Sequence, residues 1–196
     1  VHAELLAGGP VPELNLGGGF GIAYTGAEEV TPIERIAADF ARVVGGECAA
    51  LGIPVPVVAI EPGRAVVGPA GVTLYEVGEI KDVLVDAHVR RYVSVDGGMS
   101  DNIRPALYAA DYSVRLANRA SGAAPALVRV VGKHCESGDI VVRDDYLPGD
   151  VARGDLAAVP ATGAYCASLA NNYNQLTRPA VVAVRDGVAR VIVRRV

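Results

Sequence analysis

The feature that most constrains the fold is an apolar run at residues 55–60, which ends abruptly in Glu61-Pro62-Gly63-Arg64. The run is short, rich in β-branched residues and uncharged, and this pattern predicts a buried strand. The charged turn then lies at the carboxyl edge of a sheet, where α/β folds bind ligands. Gly63 lets the backbone approach a ligand closely, and its N–H can face an anion. Glu61 and Arg64 either form a surface ion pair or point at different parts of one small molecule.

Residues 14–64 are interpreted as one strand–helix–strand unit of parallel α/β architecture. A first strand, Leu14-Asn15-Leu16, runs into the glycine-rich turn at 17–21. Thr31-Pro32 then opens a helix to about residue 51, with Thr31 as the expected N-cap, and Gly52 is the expected C-cap. One such unit cannot cover both faces of a parallel sheet, so the missing strands come from another chain or from a longer polypeptide.

After about residue 70 the pattern changes to short β-branched segments bounded by glycine, proline, aspartate or asparagine. The expected strands are 72–80, 83–89, 92–96, 127–132, 139–142, 155–159, 180–185 and 188–194. Asp186-Gly187 between the last two is a strong hairpin signal. Only residues 165–175 suggest a helical insert. The predicted fold class is therefore α+β, with a strand–helix–strand part at 1–70 and an antiparallel β-barrel or sandwich at 71–196.

Composition and charge argue against several classes of function, namely nucleic-acid binding, membrane association and metal binding. The chain has 196 residues, 51% of them hydrophobic and 20% charged, which is typical of a globular protein with a real core. A net charge of −4 gives no indication of nucleic acid or of an anionic membrane as a partner. No apolar stretch approaches the ~18 residues of a membrane-spanning helix. Three unpatterned cysteines fit a reducing, cytoplasmic setting. Three histidines without a paired Cys-x-x-Cys motif disfavour a metal site.

Two segments carry groups that suit binding or acid–base chemistry. The turn Gly17-Gly18-Gly19-Phe20-Gly21 is a candidate phosphate cradle through its backbone N–H groups, although it matches neither the dinucleotide fingerprint nor a P-loop and can be an ordinary glycine turn. Cys135 follows His134 and lies near the cationic Lys133, a setting that can lower the pKa of a thiol and make it an acid or nucleophile. A polar loop with an incidental cysteine is the alternative.

Two further segments suggest the recognition of an anion. Arg104 and Tyr108 are four residues apart, so both can reach one carboxylate, unless they lie on an ordinary surface turn. Tyr165 follows Gly163 at the start of the helical insert, where its hydroxyl can lie near backbone donors. The alternative for Tyr165 is a buried aromatic helix.

Taken in order, these segments resemble the C-terminal motifs of the diaminopimelate decarboxylase family, within the alanine-racemase-like, pyridoxal-phosphate-dependent decarboxylases. The resemblance covers essentially the whole chain. It implies that residues 1–70 are the last portion of a pyridoxal-phosphate-binding (β/α)8 barrel and that residues 71–196 are a β-barrel domain. The implied reaction converts meso-2,6-diaminopimelate to L-lysine and CO2 in a cytoplasmic homodimer with shared active sites.

The resemblance also implies roles for individual residues. Gly18, Gly19, Gly63, Arg64 and Tyr165 are expected around pyridoxal phosphate, with Glu61 facing the pyridine nitrogen. The distal amino-acid head of the substrate is expected to meet a second set: Arg64, Arg104, Tyr108, Glu136 and Tyr165. Cys135 is expected to be the proton donor, and it reaches the partner subunit's site together with Glu136. No metal is implied.

The chain departs from the family in one respect. The lysine to which the family attaches its cofactor lies before the start of this sequence, and neither Lys81 nor Lys133 matches it. We therefore expect the chain to be part of a longer enzyme and inactive by itself. Two other interpretations stay open, namely a decarboxylase for another basic or acylated amino acid, and a non-catalytic β-barrel module that pairs with a complete subunit and regulates it.

Overall fold

The computed structural model describes residues 7–9 and 12–196. His2 and the beginning of the predicted first domain lie outside the described residues. Within the described residues, ten strands, four α-helices and one 3-10 turn lead from a small parallel unit into a large sheet. The first elements are β1 (Leu14–Asn15), α1 (Ile33–Leu51), β2 (Val58–Ala59) and α2 (Gly63–Val67).

The predicted strand–helix–strand unit is present, because β1 and β2 pair in parallel across α1. The pairs are Leu14 with Val58 and Asn15 with Ala59. The expected six-residue buried strand is shorter and more open than predicted: β2 has two residues, and the side chain of Val57 is 72% exposed. A strand forms ladder hydrogen bonds only over the length of the adjacent strand, and β1 has two residues.

Helix α1 begins and ends close to the expected positions. Its N-cap is Pro32 rather than Thr31, and no side chain caps its first turn, so the predicted Thr31 cap is wrong. At its end Gly52 adopts a left-handed conformation with φ 67° and donates to Ala49 O, as predicted for a glycine C-cap. Cys48 is the buried residue of helix α1.

The rest of the chain builds one six-stranded sheet and one separate hairpin. The remaining elements are β3 (Val72–Val85), β4 (His88–Val95), α3 (Arg104–Tyr108), β5 (Arg115–Leu116), β6 (Pro125–Val131), β7 (Ile140–Pro148), β8 (Leu156–Pro160), α4 (Cys166–Leu169), a 3-10 turn (Tyr173–Gln175), β9 (Val181–Arg185) and β10 (Val188–Val193). The strand order in the large sheet is β5-β8-β3-β4-β6-β7.

The large sheet is mixed, whereas the sequence predicted an antiparallel one. Strands β4 and β6 pair in parallel, with Ser94 opposite Val131. The chain between them is long enough to include α3 and β5, and a connection of this length lets a strand return in the same direction. The edges of the sheet also approach each other, since the N–H of Val114 beside β5 donates to the Asp145 carboxylate on β7 at 2.7 Å. The result is a barrel-like sheet around a core of valines.

Strand β3 pairs with two different neighbours. Residues 72–76 pair with β8, and the register with β4 runs from Val77 to Val85 with an irregularity between Val77 and Ile80. The predicted strands 72–80 and 83–89 are thus wrong as separate strands, because the chain reverses only at Asp86-Ala87, where φ is 48° and 66°.

Three loops leave the sheet at the same end. Strands β4 and β8 both run antiparallel to β3, and their last residues, Val95 and Pro160, lie opposite Val77 and Val72 of β3. Because β6 is parallel to β4, the loop after β6 leaves there as well. These three loops contain Arg104, Tyr165 and Cys135, so the parallel pair that the sequence did not predict places the third loop at the same end of the sheet.

The predicted C-terminal hairpin is confirmed. Strands β9 and β10 pair across Asp186-Gly187, where both residues have positive φ, 51° and 77°. The predicted helical insert near 165–175 is present as two short pieces, α4 and the 3-10 turn. Among the described residues, no helix combines the length and the apolar character needed to cross a membrane.

Candidate active site

The glycine-rich turn after β1 packs against the turn that contains Glu61. Gly17 and Gly19 have positive φ, 72° and 87°, conformations that favour glycine. A Cβ on Gly18 would stand 2.5 Å from the Glu61 carbonyl oxygen, so only glycine permits this approach. A Cβ on Gly19 would meet no atom within 4 Å, which leaves open space beside the turn. This combination of tight packing and free space is what a small cradle for a phosphate requires.

The Glu61 carboxylate is fixed by a residue on the neighbouring strand. The Asn15 side-chain amide donates to Glu61 Oε1 at 2.7 Å, and Asn15 Oδ1 accepts from Gly17 N at 2.8 Å. The Glu61 N–H donates to Gly17 O at 2.8 Å. Asn15 therefore determines both the shape of the glycine turn and the direction of the carboxylate.

Glu61 and Arg64 do not form the ion pair that one interpretation of the sequence allowed. Arg64 Nε donates to the Phe20 carbonyl oxygen at 3.3 Å, so the two charges diverge. The Gly63 N–H donates to Glu61 O at 2.9 Å and is engaged within its own turn, so the expectation that this N–H faces an anion is wrong for this conformation. There is open space next to the Gly63 Cα, because a Cβ built there would meet nothing within 4 Å.

An open cleft of about 460 Å³ lies beside the glycine turn. Gly18 and Gly19 line it together with the aromatic side chains of Phe20 and Phe40. Neither Glu61 nor Arg64 lines this cleft. Of the predicted cofactor residues near the turn, the glycines thus line the cleft and the two charged residues do not.

Gly163 joins the Tyr165 segment to this region. A Cβ on Gly163 would stand 1.9 Å from the Val67 carbonyl oxygen, and Gly163 N donates to Gly68 O at 3.1 Å. Tyr165 follows with φ 69°, a conformation that costs a non-glycine residue free energy and is concentrated at functional positions. The close contact at Gly163 therefore holds Tyr165 at the end of α2, which starts at Gly63.

Arg104 is buried, with 8% of its surface exposed, and is surrounded by tyrosines. Its Nη1 donates to the Tyr112 hydroxyl at 2.6 Å. The guanidinium carbon lies 4.7 Å from the ring centre of Tyr24 and 5.5 Å from that of Tyr165. Cations over aromatic faces at these distances are stabilised by the ring quadrupole. Tyr165, which the sequence predicted for the same site, is therefore brought to Arg104.

Tyr108 is placed differently from the prediction. It ends helix α3, which Arg104 begins, and its side chain is 61% exposed. No hydrogen bond or ring contact joins Tyr108 to Arg104 among the described residues. In this conformation the tyrosine eight positions after Arg104, Tyr112, takes the place expected for the one four positions after it.

We call Arg104 with Tyr24, Tyr112 and Tyr165 the Arg104 cluster. A buried thiol lies next to this cluster. The Tyr112 hydroxyl lies 3.7 Å from Cys166 Sγ, and both side chains are buried. Burial raises the pKa of the Cys166 thiol above its usual value and also raises the pKa of Tyr112, since desolvation disfavours the charged forms. Both groups are therefore neutral near pH 7, and Arg104 is the charged member of the cluster.

The loop after β6 presents Cys135 and Glu136 at the surface. The buried Asp139 carboxylate accepts from the backbone N–H groups of His134, at 2.7 Å, and Met99, at 2.6 Å. These bonds fix both ends of the loop and leave Cys135 exposed. The Tyr173 hydroxyl donates to Glu136 Oε1, and this carboxylate raises the pKa of Tyr173. Tyr173 thereby orients Glu136.

The predicted site residues fall into two groups. Glu61, Arg64, Tyr165 and Arg104 follow one another around the ends of β2, β4 and β8. Within the part of the chain that the structure describes, no hydrogen bond or salt bridge joins Cys135 or Glu136 to any of them.

Four residues of the site were not predicted as members of it from the sequence: Asn15, Tyr24, Tyr112 and Tyr173. Asn15 sits directly before the glycine turn, where asparagine commonly bonds to the backbone two residues on, and this signal could have found it. The tyrosines had no local signal, because their partners lie far along the chain or on another loop. Among the residues described, no group of three or more histidine, cysteine or acidic side chains is placed to hold a metal ion.

Comparisons with known proteins agree with the resemblance seen in the sequence. Residues 24–163 match the family "Pyridoxal-dependent decarboxylase, C-terminal sheet domain". A diaminopimelate decarboxylase from Mycobacterium tuberculosis is 56% identical over 186 residues, which cover 94% of this chain and 42% of that protein. One from Bacillus subtilis is 50% identical over 182 residues, which cover 93% and 40%. The chain thus spans about two fifths of the length of the curated relatives it matches.

Solved structures show the same relationship. A diaminopimelate decarboxylase from M. jannaschii in complex with L-lysine is 31% identical with a TM-score of 0.87, and the match covers 100% of this chain and 43% of that one. A lysine/ornithine decarboxylase from Vibrio vulnificus, at 23% identity, shares the fold with a TM-score of 0.71 over 90% of this chain and 45% of that one. The chain belongs to the pyridoxal-dependent decarboxylases, and it carries their C-terminal sheet domain.

Proposed function

We propose that this chain is the C-terminal part of an enzyme that decarboxylates meso-2,6-diaminopimelate to L-lysine and CO2. The observation that carries the proposal is Arg104, a buried cation to which no acidic side chain of the described residues forms a salt bridge. Such a cation suits the carboxylate of a substrate, and diaminopimelate keeps a second carboxylate after it loses the first. The relatives named above support this choice of substrate.

The residues around the glycine turn fit pyridoxal phosphate. The Gly18 approach to Glu61 and the open space at Gly19 and Gly63 suit a phosphate that lies against backbone. Glu61, directed by Asn15, keeps a proton on the pyridine nitrogen through its carboxylate. When bound, the cofactor supplies an acceptor for the electron pair left when CO2 departs, and a protonated ring nitrogen improves that acceptor. Arg64 and Tyr165 are the remaining residues that we assign to cofactor binding.

The far amino-acid head of the substrate is bound by two charges of opposite sign. The Arg104 guanidinium binds its carboxylate, and we assign Arg64, Tyr108 and Tyr165 to the same head, as the resemblance implies. Glu136, oriented by Tyr173, binds its ammonium group. Charge-assisted hydrogen bonds of this kind contribute about 1.5–3 kcal/mol each. An amine substrate without the distal carboxylate leaves Arg104 unpaired and binds more weakly.

Protonation of the product carbon is assigned to Cys135. Its thiol is exposed, and its loop is fixed by Asp139 rather than by contacts with the Arg104 cluster. We therefore place Cys135 and Glu136 in the active site of a partner subunit, within a homodimer whose two sites are each completed by the other copy. The thiol donates its proton to the carbon that lost CO2.

The division of the chain follows the same proposal. Residues 1–70 form the last portion of the cofactor-binding barrel, and residues 71–196 form the β-domain. The unit of β1, α1 and β2 supports this, since parallel strands joined through a helix are the repeat of such barrels. The free thiols of Cys48, Cys135 and Cys166 agree with a cytoplasmic location.

The experiment is an assay of the full-length protein encoded by the gene, supplied with pyridoxal phosphate and meso-diaminopimelate and scored for L-lysine and CO2. We expect turnover of meso-diaminopimelate and at least about 100-fold lower efficiency with L-lysine or L-ornithine, because the loss of bonds to a charged group costs about this factor. Efficient use of lysine or ornithine alone overturns the substrate, and no decarboxylation of any amino acid supports a regulatory module.

The 196-residue chain alone is expected to show no turnover in the same assay. Its two lysines lie away from the cofactor region, Lys81 within β3 and Lys133 beside Cys135, where the Lys133 N–H donates to Gly97 O. Neither can attach the cofactor next to Glu61. Lysine formation by the isolated chain, after removal of any full-length enzyme from the preparation, contradicts this expectation.

A further inference from the structure

The Arg104 cluster stabilises a buried cation without an acid. Three tyrosines, Tyr24, Tyr112 and Tyr165, line it, and they differ in how they interact with the guanidinium. Tyr112 accepts a hydrogen bond from Nη1 at 2.6 Å and has its ring centre 5.8 Å from the guanidinium carbon. Tyr24 presents its ring face to the guanidinium, at 4.7 Å. Its hydroxyl is buried and makes no hydrogen bond with the described residues.

Because tyrosines surround Arg104 in place of an acid, the arginine keeps its charge available for a ligand. A buried arginine is usually paired with an aspartate or glutamate, which cancels its charge and occupies its N–H groups. Aromatic faces and a neutral phenol oxygen stabilise the cation but leave its charge in place. Tyr112 remains a neutral phenol, because burial raises its pKa. Apart from Nη1, the guanidinium nitrogens make no hydrogen bond to the described residues.

We propose that Tyr24 and Tyr112 are positioning residues, which hold the Arg104 guanidinium in place of a counterion so that its charge and free N–H groups serve a carboxylate of the substrate. The inference rests on the proposed function for the identity of that carboxylate. Tyr112 acts through its hydroxyl, and Tyr24 acts through its ring. Edge-to-face packing of the two rings, with centroids 5.3 Å apart, fixes their relative orientation.

The two roles predict different responses to substitution. Tyr112→Phe keeps the ring and removes the acceptor that fixes Nη1. Tyr24→Leu removes the aromatic face, whereas Tyr24→Phe keeps it and removes a hydroxyl that has no partner among the described residues. The conservative change is therefore more damaging at Tyr112 than at Tyr24. A purely space-filling role for the tyrosines predicts the same small effect from both phenylalanines.

The experiment uses the full-length protein with pyridoxal phosphate and measures the binding of two ligands by calorimetry. L-lysine carries the carboxylate that Arg104 is proposed to bind, and cadaverine has the same chain of carbons and amines without it. We expect Tyr112→Phe and Tyr24→Leu to weaken L-lysine roughly tenfold, as for loss of one charge-assisted contact, and to change cadaverine less than about twofold. The exposed control Tyr146→Phe, on β7, should match the parent protein for both ligands, and Tyr24→Phe, which keeps the aromatic face, should bind L-lysine more tightly than Tyr24→Leu does.

Kinetics with meso-diaminopimelate give a second readout. Since Arg104 holds the end of the substrate that does not react, we expect the two damaging variants to raise KM with kcat within about threefold of the parent. Circular dichroism checks that each variant is folded. If Tyr112→Phe does not fold, the comparison of Tyr24→Leu with Tyr24→Phe decides the question alone.

Two results overturn the inference. One is unchanged L-lysine affinity in both damaging variants, and the other is an equal loss for L-lysine and cadaverine, which indicates general damage to the site. Failure of the parent protein to decarboxylate meso-diaminopimelate is a different result. If L-lysine binding still depends on the tyrosines in that case, the proposed reaction is wrong and the positioning role stands.

Discussion

The side-chain amide of Asn15 donates a 2.7 Å hydrogen bond to the Glu61 carboxylate, although the two residues are 46 positions apart in the sequence. Parallel pairing of β1 and β2 makes this contact possible, because it places the carboxyl ends of both strands at one edge. The same asparagine accepts the Gly17 N–H. One side chain therefore couples the phosphate-cradle candidate to the acid proposed for the cofactor ring.

Replacement of Asn15 should weaken cofactor binding. In the full-length protein we expect Asn15→Ala to raise the dissociation constant for pyridoxal phosphate roughly tenfold, since one hydrogen bond to a charged group and one turn contact are lost. Absorbance titration of the cofactor measures the change. Asn118→Ala is the matched control, because Asn118 also donates to a carboxylate, that of Asp155, but in the β-domain. An equal effect of the two variants contradicts the specific role of Asn15.

Cys135→Ala should act on turnover and not on the cofactor. We expect kcat in the full-length enzyme to fall by at least about 100-fold, the usual contribution of a positioned acid, with the affinity for pyridoxal phosphate unchanged. Cys48→Ala, at a buried thiol of α1, is the control for removal of a cysteine. Full turnover by the Cys135 variant removes this residue from the mechanism.

Gly163→Ala should disturb the site through the backbone. The added Cβ would stand 1.9 Å from the Val67 carbonyl oxygen, so the Tyr165 segment must move away from α2. We expect a thermal midpoint lower by about 5 °C or more and weakened binding of both cofactor and L-lysine. Gly122→Ala, where a Cβ meets no atom within 4 Å, should match the parent. Parent-like behaviour of both variants shows that the Gly163 contact is not required.

Asp155 should contribute stability that depends on pH. Its carboxylate accepts hydrogen bonds from Arg119, Asn118 and the Ala152 N–H, and the bonds from Arg119 are the main reason that its pKa lies below the usual value. A depressed pKa in the folded state stabilises the fold above the ordinary aspartate pKa of about 3.9, and this contribution disappears as the pH falls through the folded value.

We therefore expect Asp155→Asn to lower the thermal midpoint by about 5 °C at pH 7 and by progressively less below about pH 4. Melting curves at several pH values test this. Asp39→Asn, in an exposed pair with Arg42 on α1, is the control and should change the midpoint by about 1 °C or less. A difference for Asp155→Asn that does not vary with pH shows that its hydrogen bonds, and not its charge, are responsible.

Local signals in the sequence predicted local structure. The Gly52 cap and the Asp186-Gly187 hairpin were correct, because a left-handed residue and a two-residue turn are determined by the residues themselves. The Thr31 cap was wrong by one position, since Pro32 occupies the cap. The unbroken strand β3 was missed because the polar residues near Asp82 look like a turn, whereas Asp82 is paired with Arg91 on β4.

Contacts between distant residues could not be predicted in the same way. The divergence of Glu61 and Arg64 depends on Asn15 and on the Phe20 carbonyl, which only the folded turn brings near. The tyrosines around Arg104 come from three separate segments and have no common spacing. The parallel pairing of β4 with β6 follows from the path of a long connection, which periodicity does not specify.

The double pairing of β3 determines where the chain tolerates a change in length. Added residues at Asp86-Ala87 extend a hairpin at the end of the sheet remote from the site, and every pair between Val72 and Val85 keeps its partner. One residue added near Gly78 shifts β8 against β4 and reverses the faces of one half of the strand. Insertions are therefore compatible with the first position, whereas at the second they separate Tyr165 from Arg104.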